Sequence, residues 1–130
     1  MKPTRSTTFT VLCVLTGILI SCSGPNGPQA VTSTPMVAVL QAAKQSDAES
    51  FRNAYSKRIR QEDQQSNWAK NFQEAQANMK KMFGDYQLSD FAYSFAGDDQ
   101  VGKLTVLFKG KEQFGIAIVK EDGTWKLDER

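Results

Sequence analysis

The sequence predicts an α+β domain in which three N-terminal helices pack on a curved four-stranded antiparallel meander, a cone-like arrangement. Three observations carry that prediction. Up to Gly84, apolar residues recur at helical spacing, as in Trp68, Phe72, Ala75, Met79 and Met82. Beyond Gly84 the period drops to two, with Phe91, Tyr93 and Phe95 alternating with Ala92, Ser94 and Ala96. Turn signals separate the alternating runs at Gly97-Asp98-Asp99, Lys109-Gly110-Lys111 and Asp122-Gly123. Helices segregated from strands in this way exclude a doubly wound parallel sheet.

The first element is not part of that domain. Lys2 and Arg5 precede an uncharged, mostly apolar run over residues 9–20. About a dozen residues is too short for a membrane helix, which needs roughly 20. It fits the hydrophobic stretch of a signal peptide. The run ends in Leu19-Ile20-Ser21-Cys22, which resembles the lipobox of bacterial lipoproteins. That resemblance implies a lipoprotein signal peptide over residues 1–21. It also implies that the Cys22 thiolate takes a diacylglycerol as a thioether and becomes the new N-terminus. Two or three palmitate-type acyl chains anchor stably, whereas one is marginal. The alternative is an ordinary secreted protein with a cysteine near its cleavage site.

Ser23 after the cysteine resembles the sorting pattern for the periplasmic face of an outer membrane, if the envelope has two membranes. Residues 22–34 read as the acylated cysteine followed by a tether rich in Gly, Pro, Ser and Asn. A flexible segment of this length spans roughly 20 Å root-mean-square. Residues 35–130 then form the folded domain.

Thr34-Pro35 opens the first helix, with threonine as cap and proline pre-set for the first turn. Met36, Val37, Val39, Leu40 and Ala43 give it an apolar face. Ser46-Asp47-Ala48-Glu49 matches a capping box with Ser46 as the cap. Phe51, Tyr55 and Ile59 follow at intervals of four, which predicts one continuous second helix. Residues 61–66 are polar and read as a connection. The third helix carries the stripe from Trp68 to Met82, with Lys80 and Lys81 near its negative end and Gly84 as its stop. Tyr86 and Leu88 alternate in a phase opposite to Phe91, Tyr93 and Phe95, so a bulge or bend is expected near Ser89-Asp90. Strands are expected over residues 101–108 and 113–119, with a short last strand at Trp125 and Leu127.

The opening helix-break-helix (residues 41–51) and the terminal Glu121-Asp122-Gly123-Thr124-Trp125-Lys126-Leu127 resemble the small envelope members of the nuclear-transport-factor-2-like (SnoaL-like, cystatin-like) superfamily. The resemblance spans about residues 35–127. It implies helices on the concave side of a bent sheet, sometimes enclosing a pocket. Enzymatic members use a pocket Asp, Tyr or His. This chain has no His, is short, and lacks the extra hairpin those members carry between helices, so no catalytic residue is carried over.

Composition narrows the chemistry. The chain has 130 residues, which is one small domain. With no His and two Cys, a zinc cluster and a disulfide framework are excluded, and no cofactor or metal is expected. Sixteen Lys+Arg face 14 Asp+Glu, and loss of Lys2 and Arg5 with the leader balances them. No basic excess is left to recruit nucleic acid. No phosphate-binding glycine loop and no nucleophile elbow occur. The most enzyme-like grouping is Asp90 with Tyr86 and Tyr93, a carboxylate base beside hydroxyl donors. Its plain alternative is a surface aspartate beside core tyrosines.

Tyr55, Trp68, Tyr86, Asp90 and Tyr93 are therefore the candidate pocket residues, with Cys22 as the lipidation site. Expected partners are the membrane, through the Cys22 lipid, and either a small apolar ligand or an envelope protein. The leading expectation is a non-enzymatic envelope protein. The rivals are a small isomerase- or hydrolase-like enzyme and an envelope assembly factor.

Overall fold

The computed structural model describes residues 31–62 and 65–130. Cys22, the expected signal peptide and most of the expected tether lie outside the described residues. The chain is α+β, with helices preceding a four-stranded antiparallel sheet.

Helix α1 (Thr34–Gln45) has Ser33 rather than Thr34 at its N-cap position and Pro35 in its first turn. Thr32 and Ser33 are already buried, so packing begins upstream of the expected start. The helix ends at Ser46, whose backbone is left-handed at φ 56°. Ser46 is thus a C-cap, and the expected serine N-cap is replaced by Asp47. The Asp47 carboxylate accepts from the Ser50 N–H at 3.1 Å and from the Ser50 hydroxyl at 2.6 Å. These bonds hold the Asp47 carboxyl below its ordinary pKa.

The expected second helix is broken in two: α2 (Ala48–Asn53) and α3 (Lys57–Glu62). Among the described residues this makes four α-helices rather than three. The cause is tertiary. Between the helices, Leu127 N–H donates to the Ala54 carbonyl at 2.8 Å, and Ser56 N–H donates to the Leu127 carbonyl at 2.7 Å. The sheet takes backbone groups that a continuous helix would have paired internally. Ser56, fully buried, then caps α3: its hydroxyl accepts from Ile59 N–H at 3.3 Å and donates to Asp128 at 2.6 Å. Phe51, Tyr55 and Ile59 are all buried, although they no longer share one helix.

Helix α4 (Gln65–Phe83) starts inside the segment expected to be a connection. Trp68 and Phe72 are buried and Ala75 and Met79 partly so, but Met82 is 52% exposed. After Gly84 a 3-10 turn (Leu88–Asp90) supplies the bend, rather than a bulge, at the place where one or the other was expected. The turn performs the same phase change, because it inserts residues that pair with no strand.

Strands β1 (Phe91–Gly97), β2 (Val101–Phe108), β3 (Lys111–Glu121) and β4 (Thr124–Leu127) follow in meander order. The bulge lies between β2 and β3: Val106 faces Phe114 while Leu107 faces Glu112, so Gln113 is the extra residue. The last hairpin turns at Asp122-Gly123 with both residues at positive φ, the type I′ geometry that matches strand twist.

The register places Phe91, Tyr93 and Phe95, then Leu104 and Val106, then Phe114, Ile116 and Ile118, then Trp125 and Leu127 on one face. That face meets the helices. Leu40, Leu104, Val106, Ile118 and Leu127 form its fully buried centre.

Candidate functional site

The helix-facing side of the sheet is not filled completely. A cavity of about 360 Å³ remains between α1, α4 and the last two strands. Its walls are Met36 and Val39 from α1, Met79, Met82 and Phe83 from α4, Phe114 and Ile116 from β3, and Leu127 from β4. Ala75 leaves room on α4, because a small side chain stands where the stripe expects bulk. Three methionines give the cavity adaptable walls, since a thioether chain has several low-cost rotamers. Tyr55, Asn78 and Arg130 are the polar residues that line it.

A second hollow of about 370 Å³ adjoins the first and shares Tyr55, Ala75, Asn78 and Arg130 with it. Phe51, Trp68, Asn71 and Glu74 complete its walls. Tyr55 therefore stands between two spaces. Its ring is held by Phe51 and Trp68, each with its centroid 5.3 Å away. Burial pushes the Tyr55 hydroxyl pKa up to about 12, partly opposed by the positive charge of Arg130. The Trp68 indole N–H is shielded from solvent and has no partner.

The C-terminal segment lies against α3 through a relay of ion pairs. Arg130 meets Glu62 at 3.3 Å, Glu62 meets Arg58 at 2.6 Å, and Arg58 meets Asp128 at 3.3 Å. These groups are partly solvated, so each pair contributes little stability. Their role is positional: they bring Arg130 to both cavities.

The structure brings Tyr55 and Trp68 together but scatters the other candidates. The Tyr86 hydroxyl donates to the Leu40 carbonyl at 2.7 Å, and its ring packs on Phe83 and Phe91. It ties α1 to the start of the sheet, and burial raises its pKa. The Asp90 carboxylate accepts from Gln87 N–H at 2.9 Å and so closes the 3-10 turn. The Tyr93 hydroxyl is buried without a partner, and desolvation raises its pKa to about 12. No hydrogen bond joins Tyr86, Asp90 and Tyr93 to one another; the acid–base grouping weighed from the sequence does not assemble, and the arrangement is its plain alternative, a turn aspartate beside core tyrosines.

Sequence reading missed Asn78 and Arg130 as cavity residues. The signal for Asn78 was present: it falls at helical spacing with Ala75, Met79 and Met82, a polar residue inside the stripe. Arg130 gave none, because its place depends on pairs made with α3.

Among the described residues, no group of three His, Cys, Asp or Glu side chains is placed to hold a metal ion. Among them, too, no helix is long and apolar enough to cross a membrane.

No family model and no curated protein matches the sequence. Among solved structures, the chain is similar to an NTF-2-like protein of unknown function from Shewanella oneidensis MR-1. The two are 14% identical with a TM-score of 0.36, and the match covers 78% of this chain and 94% of that one.

Proposed function

We propose that this chain is a non-enzymatic, lipid-anchored envelope protein that holds a small apolar molecule on the concave face of its sheet. The observation that carries the binding half is the cavity of about 360 Å³ between α1, α4, β3 and β4. Its volume falls within the range of small-molecule sites, and its walls are apolar with few polar groups. A bent sheet with helices on its concave side is also the arrangement that the resemblance to the nuclear-transport-factor-2-like superfamily implies. The anchoring half rests on Leu19-Ile20-Ser21-Cys22 and the apolar run before it.

Binding here needs no acid or base. The ligand gains by leaving water, at about 25 cal/mol for each Å² of apolar surface covered. Asn78 and Tyr55, with Arg130, are the polar residues among the cavity walls. Native mass spectrometry of the full chain, released from membranes in mild detergent, tests the proposal. The expected spectrum shows extra mass that disappears on denaturation and belongs to an apolar molecule. A chain that carries no adduct, and takes up none from a membrane lipid extract, overturns the reading.

A further inference from the structure

The two edges of the sheet are treated differently. At β4 the backbone is occupied, because Ala54 and Ser56 exchange hydrogen bonds with Leu127. At β1, no described strand lies beyond Phe91–Gly97. An open edge presents free N–H and C=O groups, and proteins normally protect one with lysine, proline, a bulge or a covering segment. Strand β1 has none of the first three. Its residues are Phe-Ala-Tyr-Ser-Phe-Ala-Gly, without charge or proline, and it pairs with β2 along its whole length without a register shift.

The strand is also close to self-complementary about Ser94. Tyr93 and Phe95 flank it on the helix side, while Ala92 and Ala96 flank it on the outer face. Ala92, Ser94 and Ala96 are all exposed. We infer that β1 is a self-pairing edge, and that its partner is β1 of a second copy of this chain, antiparallel and centred on Ser94.

Two-fold pairing on that centre places Tyr93 at the register position opposite Phe95 of the second copy, twice, and no like charges meet. Ala92 faces Ala96 of the second copy on the outer side, where small residues leave the backbones free to approach. An unrelated strand would have to supply this pattern, whereas a second copy supplies it by symmetry. The balanced charge of the chain without its leader adds no long-range repulsion.

Ser94→Cys in the full chain tests the geometry. In an antiparallel pair the two central Cα atoms lie about 4.5–5.5 Å apart, which a disulfide spans. Intact cells expressing the variant are oxidised with copper phenanthroline and analysed without reductant. The expected dimer yield is at least tenfold above that of Thr124→Cys, an exposed position on β4, and above that of the unaltered chain. Adding Ala92→Lys with Ala96→Lys sets like charges opposite each other and is expected to cut the yield about tenfold. Ala92→Lys with Ala96→Glu sets opposite charges there and is expected to keep it. Equal yields from Ser94→Cys and Thr124→Cys, or equal effects of the two charge pairs, overturn the proposal.

Discussion

The rings of Phe95 on β1 and Trp125 on β4 meet edge-on with their centroids 5.5 Å apart. Their strands stand three places apart in the sheet order, about 14 Å if the sheet were flat. The Phe95 ring helps to close the gap by lying directly over Gly102. A Cβ at Gly102 would stand 2.3 Å from Phe95 Cε1. The missing side chain of Gly102 is what lets the Phe95 ring reach across the sheet toward Trp125.

Gly102→Ala is therefore expected to displace the Phe95 ring and destabilise the domain by about 1–3 kcal/mol, as overpacking does. Gly115→Ala is the contrast, because the end of the flexible Lys103 side chain is what its new methyl would meet. Urea unfolding followed by tryptophan fluorescence should show a large drop in midpoint for the first variant and little change for the second.

Ser56→Ala removes the cap of α3 and the donor to Asp128 at one stroke. A lost serine cap costs about 0.5–2 kcal/mol, and the buried position puts this one toward the upper end. Ser50→Ala, at an exposed bond to Asp47, should cost less. Thermal unfolding of the two variants checks the order; equal midpoints would remove the structural role given to Ser56.

The tyrosines give the domain a pH signature. Tyr55 and Tyr93 ionise near 12 when folded, against about 10 when unfolded. Below about pH 10 both states hold the phenolic protons and stability is unaffected. As pH rises from 10 toward 12 the unfolded chain releases protons that the folded chain keeps, so stability falls. Absorbance at the phenolate band should stay low through about pH 11 while the fold persists. Arg130→Gln removes the charge that partly lowers the Tyr55 value, so its phenolate should appear later still. Ionisation of Tyr55 or Tyr93 near pH 10 in the folded chain would contradict their burial.

Ala75→Phe fills the space on α4 where both hollows meet. The fold should survive, because the ring enters a cavity rather than a packed wall. Any bound apolar molecule should be lost, at least tenfold by adduct intensity in native mass spectra. Retained adduct would place the ligand elsewhere.

Cys22→Ser should leave the precursor uncleaved or move the chain from the membrane fraction to the soluble one. Processed, membrane-bound Cys22→Ser would exclude the lipid anchor.

The sheet was legible in the sequence because alternation is local: strand β2 matches its expected span, and the turn at Asp122-Gly123 announces its own geometry. The helical half was legible only in part. Phe51, Tyr55 and Ile59 keep helical spacing across a break that Leu127 imposes from the other end of the chain, and spacing alone carries no trace of it. Asp47 and Ser46 exchanged roles because both can cap, and the left-handed backbone at Ser46 decides between them. The cavity followed the same rule. Tyr55 and Trp68 were found through aromatic spacing on helices, whereas Arg130 depends on ion pairs with α3. Sequence left Asp90 open between an acid–base group and a surface aspartate, because a carboxylate that closes a turn looks the same in sequence as one that faces a pocket.

The fastening of Leu127 to residues 54–56 also governs the order in which the domain can form. The Ser56–Asp128 bond spans 72 positions of chain. Residues 48–62, made alone, have nothing to interrupt them and should run as a single helix. Only when the final strand arrives can that helix break, Ser56 turn inward and Tyr55 take its place between the two hollows. Contacts of such long range slow folding, since a large loop must close before they form. A chain missing its last few residues should therefore fail in its first half, with the binding cavity unmade rather than merely left open.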